Sequence, residues 1–326
     1  LDRFGEIDKT VSLVRDALKD MSETKIILNG DDPLVAQLGR NTGQSAIYYG
    51  LAESSSSNPT GTAVREGKYC PFCGQELFYN YFQYSQLGDY KCPGCAFSRP
   101  VPDVEGISPV SDEFSTTCQV KFRQGSTVSL EVSVYGIYNL YNALAAFSVS
   151  LLLGLEPQQS AKMLLDYRPA AGRMETFKYH EKSVILHLVK NPTGFNEGLR
   201  GILDIAAQPM DVMIAINDND ADGTDISWLW DVEFEALAEE QQKFNIFICS
   251  GLRAEEMALR LKYAGIPDSK LAVMNDYEQA LDKVLEGKAS KSYIWATYTA
   301  LWPIERKLSS YAQRVQTKAK NMPHVS

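Results

Sequence analysis

Cys70, Cys73, Cys92 and Cys95 stand as two C-x2-C pairs with 18 residues between them. Two residues between thiols let one turn aim both sulfurs at a single ion. Two such turns close a tetrahedron of the kind zinc accepts from four sulfurs. Gly94 inside the second pair and Gly74 just past the first are places where a positive φ is often needed. The spacing predicts an all-cysteine zinc site in a zinc ribbon over about residues 66–102, with two disulfides as the alternative. Four thiolates leave no open coordination position, so such a zinc is structural. Tyr79, Tyr81, Phe82, Tyr84 and Tyr90 are expected to cover the small core around the metal; a binding surface is the other reading.

Two further groups carry polar chemistry. In GIYNLYNALAAF, residues 136–147, Asn139 and Asn142 lie three apart at the start of a helix and so share nearly one face. An asparagine offers both donors and an acceptor, which suits a purine edge. Helix capping by Asn139 alone is the competing reading. Asp218, Asp220, Asp222, Asp225 and Asp231 crowd a 14-residue stretch that also holds Trp228 and Trp230. Five carboxylates cannot all be buried unpaired. A solvated loop, with or without a cation, is the plain interpretation. Asp222-Gly223 can form a tight turn that pushes Asp225 outward.

The elements that must hold these groups follow from periodicity. LDRFGEIDKTVSLVRDALKD reads as an amphipathic helix, with Val11, Leu13, Val14, Ala17 and Leu18 at helical spacing. Opening directly on such a helix predicts that an N-terminal portion of a longer protein is missing. Residues 25–29 and 45–49 read as strands, and Asp32-Pro33 opens a helix over LVAQLGR. Val120–Gly136 alternates as a hairpin turning near Gln124-Gly125-Ser126, and helices are expected over 138–153 and within 155–168. Residues 170–174 form a small-residue hinge. Beyond it, strands at 184–189, 212–216, 245–249, 271–274 and 293–296 alternate with helices such as 254–264. That is the pattern of a doubly wound, mostly parallel α/β sheet, in which ligands gather beyond the carboxyl ends of the strands.

Composition bounds the function. The 326 residues are 44% hydrophobic, enough for two cored domains and a small insert. Net charge is −9, from 41 acidic and 32 basic residues, which argues against nucleic acid as a partner. The longest apolar run, residues 147–153, includes two serines and is too short to cross a bilayer. Cys118 and Cys249 read as core residues in a protein of a reducing cytoplasm. His180, His187 and His324 read as packed or surface side chains, and no nucleophilic Ser or Cys constellation is visible.

The motif G-x-x-N-x-x-N-x-x-A-A at Gly136–Ala146 resembles the adenine-side motif of the Mur ligases. LNGDDP at residues 28–33 is similar to that family's N-x-D-D-P turn, GRME at 172–175 to its G-R-x-E hinge, and LDRFGEID to its D-x-x-G-x-I segment. A four-cysteine ribbon in the ATPase domain, KNPTGFNEGL at 190–199 and NDNDADGTDISWLWD at 217–231 resemble one branch of that family, whose partner is the glutamine amidotransferase GatD. The resemblance implies a Mur ligase-like α/β fold. Residues 1–174 would be the remainder of the central ATPase domain with the ribbon inserted, and 175–326 a Rossmann-like C-terminal domain contacting GatD.

The implied activity is ATP- and Mg²⁺-dependent amidation of the D-glutamate α-carboxyl of lipid II to D-isoglutamine, through an acyl phosphate, with ammonia that GatD releases from glutamine. The setting is the cytoplasm, at the inner membrane surface where the lipid-linked substrate is met. The resemblance assigns ATP binding to Asn139, Asn142 and Arg173, the last because a guanidinium offers a fixed fork of donors to phosphate. Lys190 and Asn191, just past a strand, would meet phosphate or substrate carboxylate, although Asn191-Pro192 is also turn material. An aspartate of the D-G-x-D loop would complete the GatD triad in trans: Asp225, with Asp222 and Asp218 as runners-up. The family's upstream GTNGKT phosphate loop is missing, so this chain alone is expected not to hydrolyse ATP. The alternatives are a Mur-type amino-acid ligase and a non-enzymatic zinc-ribbon adaptor.

Overall fold

The structure, a computed structural model, describes residues 7–21, 23–41, 45–55, 57, 66–112, 115–123, 125–167, 174–205 and 209–315. Arg173 and most of the hinge, His324, Gln124, most of the 54–62 loop and the start of LDRFGEID lie outside the described residues. The chain divides between residues 168 and 169 into two compact units.

In the first unit, helix α1 (Ile7–Lys19) rests Val11 and Leu18 on Ile26, Leu28 and Leu38, two helical turns apart as the period requires. Strand β1 (Ile26–Asn29) ends at the Asp31-Asp32 turn, where Asp32 Oδ1 accepts from the Leu34 N–H at 2.9 Å and Pro33 takes the first helical position. The expected single helix breaks in two, α2 (Pro33–Ala36) and α3 (Leu38–Asn41). The break sits at buried Gln37, whose amide donates to the Leu34 carbonyl at 3.1 Å. Strand β2 (Ala46–Leu51) follows, then the ribbon hairpin β3 (Phe78–Tyr84) and β4 (Leu87–Lys91).

Strand β5 (Val104–Ser111) is not predicted by the sequence pattern, because Gly106 and Pro109 look like breakers. The ladder to the next strand shifts register between Ile107 and Val110, and Ser108 there has φ 51°. Pro109 therefore sits at a bulge, where its missing N–H costs little. The expected hairpin is β6 (Thr116–Phe122) and β7 (Ser126–Val132). Strand order is β1-β2-β5-β6-β7, the first three parallel and the rest antiparallel. Helix α4 (Ile137–Leu152) lays Leu140, Tyr141, Leu144 and Phe147 on this sheet, and α5 (Pro157–Leu165) completes the unit.

The second unit is the doubly wound sheet. It contains β8 (Glu175–Tyr179), β9 (Lys182–Leu188), α6 (Pro192–Ile205), β10 (Met210–Ala215), a 3₁₀ turn (Ser227–Asp231), α7 (Glu235–Glu239), β11 (Phe244–Ser250) and α8 (Ala254–Tyr263). There follow β12 (Leu271–Val273), α9 (Tyr277–Glu286), β13 (Lys291–Ala296), α10 (Tyr298–Tyr311) and β14 (Gln313–Arg314). Strand order is β12-β11-β10-β13-β9-β8-β14, with β12 through β9 parallel. Every residue of β10 is buried, since helices cover both faces. Because β13 returns between β10 and β9, the winding reverses there and opens a crevice at the carboxyl ends. Among the described residues no helix is long and apolar enough to cross a membrane.

At the opposite ends of those strands, Lys182 Nζ donates to Asp211 Oδ2 at 3.1 Å and to the Val284 carbonyl at 2.5 Å, with both side chains buried. Removing one partner strands the other charge. Lys182→Ala is therefore expected to lower the unfolding free energy by about 3–5 kcal/mol in urea titrations. Lys182→Met combined with Asp211→Leu should recover most of that loss.

Candidate functional site

The four cysteine sulfurs lie within 4.8 Å of one another. Cys70 and Cys95 are 3.6 Å apart, and Cys73 and Cys92 are 3.3 Å apart. A tetrahedral zinc with Zn–S of about 2.3 Å spaces its sulfurs about 3.8 Å apart, so the donor set fits one ion with slight expansion. Disulfides need sulfurs about 2.05 Å apart, and all four cysteines are free thiols, which removes that alternative. Gly74 adopts φ +74°, as its place after the first pair suggested. Gly94 does not; its N–H instead donates to Cys92 Sγ at 3.4 Å. Burial pushes the Cys70 thiol up to about 12, and a cation among the sulfurs acts in the opposite sense. Cys70, Leu77, Tyr79, Phe82, Tyr90, Cys92 and Phe97 form one small core with Ala36 of α2, and Tyr48 of β2 packs against it. Those ribbon aromatics are thus packing groups.

Helix α4 starts at Gly136, whose φ of 105° suits glycine and where a Cβ would stand 2.8 Å from the Tyr138 ring. No side chain caps this helix. Asn139 Nδ2 donates backward to the Tyr135 carbonyl at 2.8 Å, so it is not an N-cap. Asn142 is exposed one turn on. The pair stays on nearly one face of α4, with Asn139 partly buried.

Past β9, Lys190 is exposed. Asn191 has a structural part: its Oδ1 accepts from the Gly194 N–H at 2.8 Å and its carbonyl from Phe195 at 3.1 Å, capping α6 ahead of Pro192.

The acidic loop lies in the crevice between β10 and β13. Asn219 O accepts the N–H groups of Asp222 and Gly223 at 2.8 and 3.1 Å, and Gly223 takes φ +92°. The turn is the tight one expected. Asp222 accepts from the Thr299 N–H at 2.7 Å and from its hydroxyl, so it caps the first turn of α10. Thr299 Oγ1 in turn accepts from Asn217 Nδ2 and Asn219 Nδ2, each at 2.8 Å. Asp218 pairs with Arg253 at 2.5 Å. Beyond the turn, buried Arg260 donates to the Leu229 and Val232 carbonyls at 3.0 and 2.7 Å, grips Glu235 with two nitrogens and lies 5.2 Å from the Trp230 ring centre.

Between these two anchors stands Asp225, exposed, its Oδ1 accepting the Ser227 N–H at 2.8 Å. That N–H, together with the Ser227 hydroxyl, holds its carboxyl below the ordinary carboxylate range. Asp220 and Asp231 are also exposed. Chemically, the loop presents exposed carboxylates from a braced backbone, and among them Asp225 is the one held by the Ser227 N–H. Thr299 and Arg260 carry much of this bracing and no local motif marks them, because they lie far along the chain from the aspartates; Asn217 stands at the head of the loop itself.

Residues 188–301 match the family model described as MurT ligase C-terminal. Over 309 residues the chain is 34% identical to the lipid II isoglutaminyl synthase (glutamine-hydrolyzing) subunit MurT of Staphylococcus aureus strain COL, covering 95% of this chain and 67% of that protein. It is 32% identical over 312 residues to the subunit of the same name from Streptococcus pneumoniae R6, with the same coverage. Among solved structures, a pseudomurein peptide ligase type C from Methanothermus fervidus superposes with a TM-score of 0.70 at 20% identity. That match covers 93% of this chain and 59% of the ligase, and it shows the Mur ligase fold. Identity sustained along nearly the whole chain, the ligase fold and the C-terminal match agree: this chain belongs to the MurT family of Mur ligases.

Proposed function

We propose that this chain is the ligase side of a lipid II isoglutaminyl synthase that works with GatD. Membership of the MurT family gives the reaction class, ATP-dependent amide ligation. The D-glutamate α-carboxylate of the lipid II stem peptide attacks the γ-phosphorus of ATP, giving an acyl phosphate and ADP. A carboxylate is a poor electrophile; phosphorylation turns one oxygen into a leaving group. Ammonia released by GatD from glutamine then attacks the acyl carbon and expels phosphate, leaving D-isoglutamine. Mg²⁺ supplies charge compensation at the transferred phosphoryl group.

Asn139 and Asn142 are assigned to the adenine, Arg173 to the nucleotide phosphates and Lys190 to phosphate or a substrate carboxylate. Asn191 supports that place by capping α6. The four cysteines hold a structural zinc. Asp225 is assigned to the GatD histidine. The observation that carries this last assignment is the braced loop: Asp222 and Asp218 are bound to Thr299 and Arg253, whereas Asp225 is exposed and held only by its own turn. The chemistry takes place in the cytoplasm, at the inner membrane surface where lipid II is met.

The test is amidation of lipid II by the full complex with glutamine and ATP. Asn142→Ala is expected to raise the KM for ATP about tenfold, the loss of one or two polar contacts, and to leave glutaminase turnover unchanged. Transfer of a free amino acid in place of ammonia would overturn the reading.

A further inference from the structure

Arg99 lies four residues beyond Cys95, and its N–H donates to the Tyr90 carbonyl in β4 at 2.8 Å. It lies at the closing end of the ribbon. Its Nε donates to Asp31 Oδ1 at 2.6 Å and a terminal nitrogen donates to the Leu51 carbonyl at 3.0 Å. The Asp31 side chain is 0% exposed. Its Oδ2 accepts from the Leu51 N–H at 2.7 Å and from the Tyr141 hydroxyl at 2.6 Å. Tyr141 sits on α4 between Asn139 and Asn142. One dry carboxylate thus joins the ribbon's closing residue, the end of β2 and the helix that carries the asparagine pair.

Other contacts make this junction a fitted one. Gly88 of the ribbon donates its N–H to the Asp31 carbonyl at 3.0 Å, and the Tyr90 hydroxyl donates to the Gly30 carbonyl at 3.1 Å. Tyr84 meets the Tyr141 ring edge-on at 5.8 Å between centroids. At Gly50 a Cβ would stand 2.3 Å from Asp31 Oδ1 and 3.0 Å from the Arg99 guanidinium, so the pair has room only because residue 50 is glycine. A buried ion pair is a poor stabiliser compared with apolar packing; what it supplies is a defined geometry.

We infer that Arg99, Asp31 and Tyr141 form a positioning relay, through which the folded ribbon sets the first turns of α4 and hence the Asn139–Asn142 pair. The relay gives the ribbon a task in nucleotide binding. It rests on the reading that this pair meets the nucleotide. None of the three is a catalytic residue.

The test uses the full complex carrying Tyr141→Phe, which keeps the ring and removes the hydroxyl, Arg99→Met, and both together. Each single change is expected to raise the KM for ATP about tenfold, the size of a lost hydrogen bond to a charged group, with kcat altered less than about twofold. The double variant should be no worse than Arg99→Met, since the groups act in series. Amide exchange in residues 137–142 should quicken in all three. If both single variants keep the wild-type KM while Asn142→Ala raises it, the relay is wrong and the network only stabilises. If Asn142→Ala leaves KM unchanged, the nucleotide assignment fails instead. The exchange data then decide the relay alone: unchanged rates at the start of α4 sink it, and faster rates sustain it.

Discussion

In the assembled complex, Asp225→Asn is expected to cut glutaminase kcat by about 10³–10⁴-fold, the scale seen when a triad carboxylate becomes an amide. Binding of the two subunits should be nearly unchanged. In the proposed role the carboxylate would accept the imidazole N–H, fix the tautomer that can take the thiol proton, and stabilise the imidazolium that forms. An asparagine can turn its NH₂ toward the ring and select the wrong tautomer. Asp222→Asn should act differently, because Asp222 holds Thr299 and the loop's shape; a smaller loss with weaker subunit binding is expected. Asp218→Asn breaks a partly exposed pair with Arg253, worth little.

The pH profile gives a second reading of the same assignment. Ser227 holds Asp225 below the ordinary carboxylate range, so the carboxylate is charged throughout the interval in which imidazole titrates. A depressed carboxyl contributes above its ordinary pKa and loses that contribution only as pH falls through the lowered value. The acid limb of kcat/KM should therefore belong to the partner's histidine and cysteine, and Asp225→Glu should change the height of the profile and leave its limb in place. Full glutaminase activity in Asp225→Asn, or an equal loss in Asp218→Asn, would falsify the assignment.

What could be read in the sequence was whatever is local. The cysteine spacing, the Asp32-Pro33 helix start, the tight turn at Asp222-Gly223 and the five parallel strands of the second unit are each decided by neighbours along the chain. They stand in the structure within a residue or two. Strand β5 was hidden because Gly106 and Pro109 look like breakers unless one knows that a bulge accepts them. Strands β8 and β14 are short and lie at the outer edge of the sheet, where burial imposes little pattern.

At the sites, residue types were legible and their partners were not. Nothing near Asp31 announces that its carboxylate will be shared by Arg99 and Tyr141, 68 and 110 positions away. Thr299 is 77 positions from the aspartate it anchors. Asn191 reads as turn material in the sequence, and the structure shows which turn: the cap of α6. Long-range polar pairing follows from topology, and topology is the level that motif spacing does not encode.

Withholding the zinc that the four cysteines are expected to hold should perturb the first unit strongly. The purified protein is expected to hold one zinc per chain by elemental analysis, without the visible absorbance of thiolate-bound iron, the other ion that four sulfurs select. The ribbon core of Leu77, Tyr79, Phe82, Tyr90 and Phe97 is too small to fold unaided. Structural zinc supplies about 10–16 kcal/mol in isolated zinc-finger peptides, and even about 4 kcal/mol of that would lower the Tm of a unit this size by about 8–16 °C. Cys73→Ser is the cleanest variant, because Cys73 is exposed, whereas Cys70 is buried. It should lose the metal, melt early and exchange its β3–β4 amides rapidly. Cys118→Ser, which alters a buried thiol outside the cluster, should cost stability and keep the full metal content. Because Gly88 and Arg99 tie the hairpin to Asp31, loss of protection should spread from the ribbon to residues 29–32. A chain that binds no metal, or whose melting ignores its removal, would show that the four thiols are packing groups and nothing more.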